Sequence, residues 1–383
     1  MSGQIFGPEF NISSSSFACD LDFKNGNSSA FFMMNETSLS VPGNHGIMEW
    51  FAREIFYNVI SVVIWFFFGI GIMGIIGNIL TIVVFIKLGF SETIHMSYLA
   101  LAVSDLCAII TTIWCGICYS PLIEILLNRF RIVTELNLFA NFTCFWPHLA
   151  FSKTTALITA WISLERCLCV VFPIKVKLII TRSVTKIVLL VIFITGCGPV
   201  VFAYTGRKSE WRFDPMQNQT RFYMFKNAVK DLNLLNRLAF SLYSTVYPVF
   251  SWVSVIVCTT FLIIKLRQSA SWRKRNVTAP SNDTIYRNQT QERGISVKAN
   301  RITKTVVAVA IIFIVCSFPI SISVFFSSLM REFSLSGRLR YLVSLNASII
   351  LVPSEINSSV NIIVFTVMGT RFRSTLFKIL CRK

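Results

Sequence analysis

Apolar residues along the chain gather into seven long runs. The runs cover about Asn58–Phe85, Ser97–Tyr119, Leu138–Phe172, Ile187–Tyr204, Leu238–Ile264, Val306–Leu329 and Leu342–Met368. A helix needs about 17–25 apolar residues to cross a hydrocarbon core ~30 Å thick, and inside lipid only helices and closed barrels satisfy every backbone group. Runs of this length therefore predict seven crossings. After the last one, Phe372, Leu376, Phe377 and Leu380 recur at helical spacing among basic residues, which predicts a short amphipathic helix lying on a membrane surface. The expected fold class is an all-α membrane protein: a seven-transmembrane helix bundle over 58–368, a polar tail over 1–57 before it, and an amphipathic helix and tail over 369–383 after it.

Composition sharpens this picture. Charged residues make up 14% of the chain and the mean hydropathy is +0.64, against about 25% charged in soluble domains. In a soluble domain a net charge of +18 would point to nucleic acid; here the basic residues first report which side of a membrane they occupy. Of 36 Lys and Arg, 21 lie on segments sharing a side with the carboxyl terminus and 14 on the opposite side, with Lys153 inside the third run. The excess places the amino terminus outside the cell and the carboxyl terminus within, with lipid as a partner and no role for nucleic acid. An outside tail makes the sequons at Asn11, Asn27 and Asn35 usable for glycosylation. No signal peptide precedes the tail, so the first run is expected to act as the insertion signal. Cys381, at the end of the amphipathic stretch, is a candidate palmitate site. The other cysteines fall mostly within apolar runs and read as small buried side chains.

Polar residues inside the runs carry the chemistry. The third run ends Ser163-Leu164-Glu165-Arg166-Cys167, with Pro173 beyond it. On residues alone, Glu165-Arg166 is an interfacial ion pair that stops a helix. Asp105 lies in the middle of the second run, where a carboxylate costs about 2.5–3.5 kcal/mol and must face the bundle interior. Pro248 and Pro319 fall mid-run, where a missing N–H bends a helix.

Together, from about Val59 to Cys381, these features resemble the rhodopsin-like G-protein-coupled receptors. The resemblance implies that Glu165, Arg166 and Pro173 meet a heterotrimeric G protein, and that Pro248, Phe313, Phe318, Pro319, Asn361 and Phe365 belong to the switching machinery. It implies an allosteric sodium ion held by Asp105, Thr155, Asn357, Ser358 and Asn361, and no other cofactor. His148, Ser152 and Glu355 fall at ligand-pocket positions. A buried Glu355 is expected to pair with His148 or Lys153, unless Lys153 snorkels to the lipid boundary. Departures from the family pattern are Ser317 for a Trp, Ile362 for a Pro, and Phe365 and Ile256 for tyrosines. The base of the sixth run offers Lys298, Ala299, Arg301 and Lys304, with no acid, so Arg166 is expected to be restrained by Glu165 alone. The family clasp between helix three and the second outer loop lacks a loop cysteine here, leaving Cys19 as one partner for Cys144.

Seven Lys and Arg in the second outer segment, with Arg331, Arg338 and Arg340 in the third, make the mouth positive. A basic entrance concentrates anions, which favours a peptide or small acidic ligand of chemosensory or neuropeptide type. The stretch Leu164–Lys177 looks most like molluscan receptors of those kinds. The function so implied is a plasma-membrane receptor, and not an enzyme, that binds an extracellular ligand and activates a G protein. Two rivals are a receptor-like scaffold without G-protein coupling and a secondary transporter, whose repeated halves are not evident.

Overall fold

The computed structural model describes residues 44–118, 141–172, 175–205, 207–214, 219–226, 230–276, 301–323 and 340–381, with isolated positions at 123, 126 and 129. Asn11, Asn27, Asn35, Cys19, Pro173 and the segment 324–339 lie outside them.

In chain order the main helices are α1 (Asn44–Leu88), α2 (Thr93–Cys118), α3 (Trp146–Val171), α4 (Arg182–Cys197), α5 (Tyr247–Asn276), α6 (Arg301–Ser323), α7 (Arg340–Ser359), α8 (Asn361–Met368) and α9 (Thr370–Leu380), with shorter helical segments at Val176–Ile179, Pro199–Thr205 and Lys230–Ser241. An antiparallel hairpin, β1 (Arg207–Asp214) with β2 (Gln219–Lys226), separates α4 from α5. Among the described residues, seven helical stretches are long and apolar enough to cross a membrane, and each overlaps one predicted run.

The boundaries differ where local chemistry intervenes. α1 starts at Asn44, well before Asn58, because after Pro42 and Gly43 only Gly46 opposes a helix. It stops at Gly89, whose φ of +73° suits a glycine, and whose N–H returns to the Phe85 and Ile86 carbonyls at 3.2 Å. α4 begins at Thr181, whose side chain accepts from the Val184 N–H, and breaks at Gly198-Pro199 before a further turn, Pro199–Thr205. Ahead of α5 a widened turn, Leu242–Val246, stands just before Pro248 and opens the ladder where the proline has no N–H to give. The final crossing is divided at Val360, between α7 and α8, without the family's proline.

The core joins α2, α3, α5, α6 and α8 through Leu101, Ile158, Ile162, Leu262, Val306 and Val364. Large apolar side chains such as Trp65, Met73, Leu190, Ile194 and Val257 point outward, as a lipid-facing surface requires. α1 approaches α7 where Gly74 lies against Ser359, so closely that a Cβ at this position would collide with the Ser359 hydroxyl. Small residues permit such approaches between membrane helices. Gly74→Val is expected to lower thermal stability and surface yield, measured by a melting assay on detergent-solubilised protein; an unchanged melting point would refute the close packing.

The amphipathic prediction for the last helix holds in divided form. Phe372 and Leu376 are buried against the bundle, whereas Phe377, Leu380 and Cys381 are exposed, leaving an outward apolar stripe beside the candidate palmitate site.

Candidate functional site

At the α3 end that carries Arg166, the helix buries a carboxylate. Glu165 is 0% exposed and accepts three hydrogen bonds: from Thr93 Oγ1 at 2.5 Å and Arg166 Nη2 at 2.9 Å on Oε1, and from Ser97 Oγ at 3.1 Å on Oε2. Thr93 and Ser97 stand four apart at the start of α2, so one helical face supplies both hydroxyls. A buried charge is tolerated when it is paired and fully bonded. Arg166 is mostly enclosed, its side chain 13% exposed, and its Nε has no hydrogen-bond partner. As expected, its ion pair is with Glu165 rather than across to α6. The base of α6 is tied elsewhere: Arg301 donates to Thr370 Oγ1, at the start of α9, at 2.6 Å.

One turn beyond Arg166, Val170 borders a cleft of about 400 Å³ shared with Lys265, Gln268 and Ser269 of α5 and Thr303 of α6. Phe365, where the family keeps a tyrosine, packs instead in an aromatic cluster. Its ring lies 4.7 Å from that of Tyr98, 5.4 Å from Phe85 and 5.6 Å from Phe372. The Tyr98 hydroxyl is buried there without a partner.

Mid-bundle, Asp105 is the meeting point of four helices. Thr155 Oγ1 donates to its Oδ1 at 2.9 Å and Asn361 Nδ2 to its Oδ2 at 2.8 Å, with the Ser358 hydroxyl in hydrogen-bonding contact. Ser104 Oγ lies 3.0 Å from Thr155 Oγ1 and donates to the Phe151 carbonyl. Asn78 draws in α1, donating to the Gly74 and Ser358 carbonyls, both at 2.9 Å. Four of the five residues assigned to a cation site thus converge. Asn357 is half-buried and its side chain makes no hydrogen bond to the described residues, so it stands apart from the set. One carboxylate surrounded by hydroxyl oxygens suits a hard monovalent cation. Among the described residues no group of three or more His, Cys, Asp or Glu has the arrangement of a metal site.

The ligand-pocket positions correct the expected pairing. Thr112 gives its proton to the Ala108 carbonyl at 3.0 Å, so the His148 imidazole Nδ1, 2.8 Å from Thr112 Oγ1, is assigned as the donor. Glu355 is 2% exposed and its Oε1 has no partner. It forms an ion pair with neither His148 nor Lys153 among the described residues; the His148 imidazole bonds to Thr112 instead. Lys153 is half-buried and Ser152 likewise, and neither side chain makes a hydrogen bond to the described residues.

Between α5 and α6 the missing tryptophan has a counterpart that sequence reasoning did not find. Trp252 Nε1 donates to Ser317 Oγ at 2.9 Å, Ser317 Oγ donates to the Phe313 carbonyl at 2.5 Å, and the Trp252 ring stacks on Phe318 at 6.1 Å and 22°. Phe313 is buried against Ala156, Ala160, Val255 and Ala310. The available signal was a tryptophan on α5 one turn after Pro248, opposite a small residue two positions before Pro319. Pro319 itself is half-buried.

A family model described as "7 transmembrane receptor (rhodopsin family)" matches residues 77–364. Similar proteins include the growth hormone secretagogue receptor type 1 of Sus scrofa, 24% identical over 319 residues covering 81% of this chain and 78% of the relative. The same receptor of Mus musculus is 25% identical over 321 residues, with the same coverage. G-protein coupled receptor 54 of Oreochromis niloticus is 25% identical over 317 residues, covering 82% of this chain and 76% of the relative. These relatives are vertebrate receptors, and the molluscan likeness gains nothing from them.

Proposed function

The chain belongs to the rhodopsin family of seven-transmembrane receptors, a family of signalling receptors and not of enzymes, and from that premise we propose that it binds a peptide ligand at its outer face and activates a heterotrimeric G protein within the cell. The amino terminus lies outside, by the bias in basic residues.

The observation that carries this reading is Arg166, held by its own neighbour Glu165 beside a cleft bounded by α3, α5 and α6. A G-protein segment entering that cleft meets Arg166 and a basic rim that includes Lys265. α6 can swing about the Pro319 region, where the ladder lacks one bond, once Arg301 leaves Thr370. Asp105, with Thr155, Ser358 and Asn361, would hold a sodium ion in the resting state; the ion supplies a positive charge that neutralises the buried carboxylate. Without it, the same residues tie α2, α3 and α8 directly.

On the outer side of the membrane, the sequence between α4 and α5 carries seven Lys and Arg against Glu210, Asp214 and Asp231, which would make the entrance positive. Deeper in, Glu355 keeps one carboxylate oxygen without a partner. A ligand with acidic groups for the entrance and a cationic group for Glu355 satisfies both, as a peptide does. The names of the relatives, receptors for a growth hormone secretagogue, agree with a messenger ligand.

The test is nucleotide exchange by a purified heterotrimer on vesicles bearing the receptor, screened against acidic and mixed-charge peptides. A peptide that accelerates exchange in the wild type and loses at least about tenfold in potency on Glu355→Gln is expected. Absence of ligand-dependent exchange under every peptide and every G-protein class would favour the scaffold.

A further inference from the structure

Three thiols pack on one another at the end of the bundle opposite Arg166. Cys118 is the last residue of α2 and is buried; Cys144 lies in the π-turn Asn141–Phe145 that leads into α3 and is fully buried; Cys115 packs against both, half-exposed. Cys115-Gly116-Ile117-Cys118 is a Cys-x-x-Cys element whose two thiols project from the same face of α2, one turn apart. The Cys144 thiol is in hydrogen-bonding contact with both Cys118 and Cys115. The π-turn brings them together: an added residue in the first turn of α3 rotates Cys144 into the α2–α3 seam, and such turns recur where a function needs an off-register side chain. No His, Asp or Glu completes a metal set here, among the described residues.

We propose that Cys118 and Cys144 form a disulfide in the mature protein, clasping the outer ends of α2 and α3. This rests on the orientation given under the proposed function, which puts both thiols on the side that faces the oxidising secretory lumen during synthesis. The bond forms by thiol–disulfide exchange with a disulfide-bearing oxidoreductase of that compartment. The thiolate of one cysteine attacks the oxidoreductase disulfide to give a mixed disulfide; the thiolate of the other then attacks the linked sulfur and releases the oxidoreductase as a dithiol. Two protons leave and two electrons pass to the oxidoreductase. Both sulfurs are then shut in, so exchange must occur as the helices pack, and the finished bond is screened from reductant. Cys118 is the partner in preference to Cys115 because it shares full burial with Cys144 and ends its helix, where the backbone adjusts with least loss. The bridge fixes the mouth of the α2–α3 seam directly above Thr112 and His148.

The test uses the full-length receptor in cell membranes, denatured in a maleimide without reductant, then digested and analysed by mass spectrometry. A Cys118–Cys144 linked peptide with Cys115 alkylated is the expected result. Cys118 and Cys144 both alkylated, or Cys144 linked to Cys19 or Cys115, would overturn the assignment. Cys118→Ser, Cys144→Ser and the double variant provide a second readout. The bridge predicts equal melting-point losses for all three, whereas independent packed thiols predict losses that add. The readout needs no ligand or G protein, and an epitope tag on the amino terminus scores orientation separately, so failure here is distinguishable from failure of the receptor reading.

Discussion

Replacing Glu165 with glutamine is expected to raise ligand-independent nucleotide exchange by about tenfold or more. The carboxylate accepts from Thr93, Ser97 and Arg166 at once, and hydrogen bonds to a charged group contribute about 1.5–3 kcal/mol each. Glutamine keeps the shape but turns half of the acceptor into an amide donor facing hydroxyls and a guanidinium. It also leaves Arg166, already with an unpartnered Nε, without its counter-charge. No acid on α6 can take its place, since the base of that helix is basic. A loss of about 1.4 kcal/mol from the resting state shifts the resting-to-active ratio tenfold. Thr93→Val and Ser97→Ala should each move the basal rate in the same direction by less, because each removes one of the three donors. The measurement is basal exchange on a supplied heterotrimer, normalised to surface receptor. A basal rate equal to wild type at matched expression would show that this cluster does not restrain the receptor.

How much of this could be read in advance follows the reach of each signal along the chain. The seven crossings were legible because lipid imposes a length and a composition on every one of them, and the intrahelical pair Glu165-Arg166 was legible because its partners are adjacent. Thr93 and Ser97 were not, for an uncharged hydroxyl at a helix start looks like any cap or surface residue until α2 is laid against α3. The same limit explains Trp252: the departure at Ser317 was visible, but its compensation lies on another helix 65 residues away in sequence. Opposite charges suggested a pairing for Glu355, yet charge alone did not reveal that a neutral Thr112 would bond to His148 first. Trp252→Phe tests the exchange. Loss of its N–H leaves Ser317 with its own bond to Phe313, so the expected effect is a fewfold change in agonist potency, smaller than that of Glu165→Gln, and the same potency as wild type would remove Trp252 from the switching path.

Asp105 carries the second large effect, and two substitutions separate its two roles. Asp105→Ala removes the acceptor that Thr155 and Asn361 share; Thr155 keeps only its 3.0 Å approach to Ser104 Oγ, and the buried Asn361 amide is left unsatisfied, at about 1–3 kcal/mol. Because α2, α3 and α8 meet through those bonds, a loss of this size is expected to depress the melting point by several degrees and surface yield with it. Asp105→Asn preserves an oxygen for one donor and most of the packing, so its stability should lie close to wild type, but it removes the charge that would attract a cation. In the wild type, sodium is expected to weaken agonist binding relative to an equal concentration of a bulky organic cation that cannot enter the site, since a ligand shifts an equilibrium only by its differential affinity for the two states. In Asp105→Asn that difference should vanish. If wild-type agonist affinity is the same in both salts, Asp105 is a structural hub whose convergent hydroxyls serve the bundle alone, and only the stability effect of Asp105→Ala will remain.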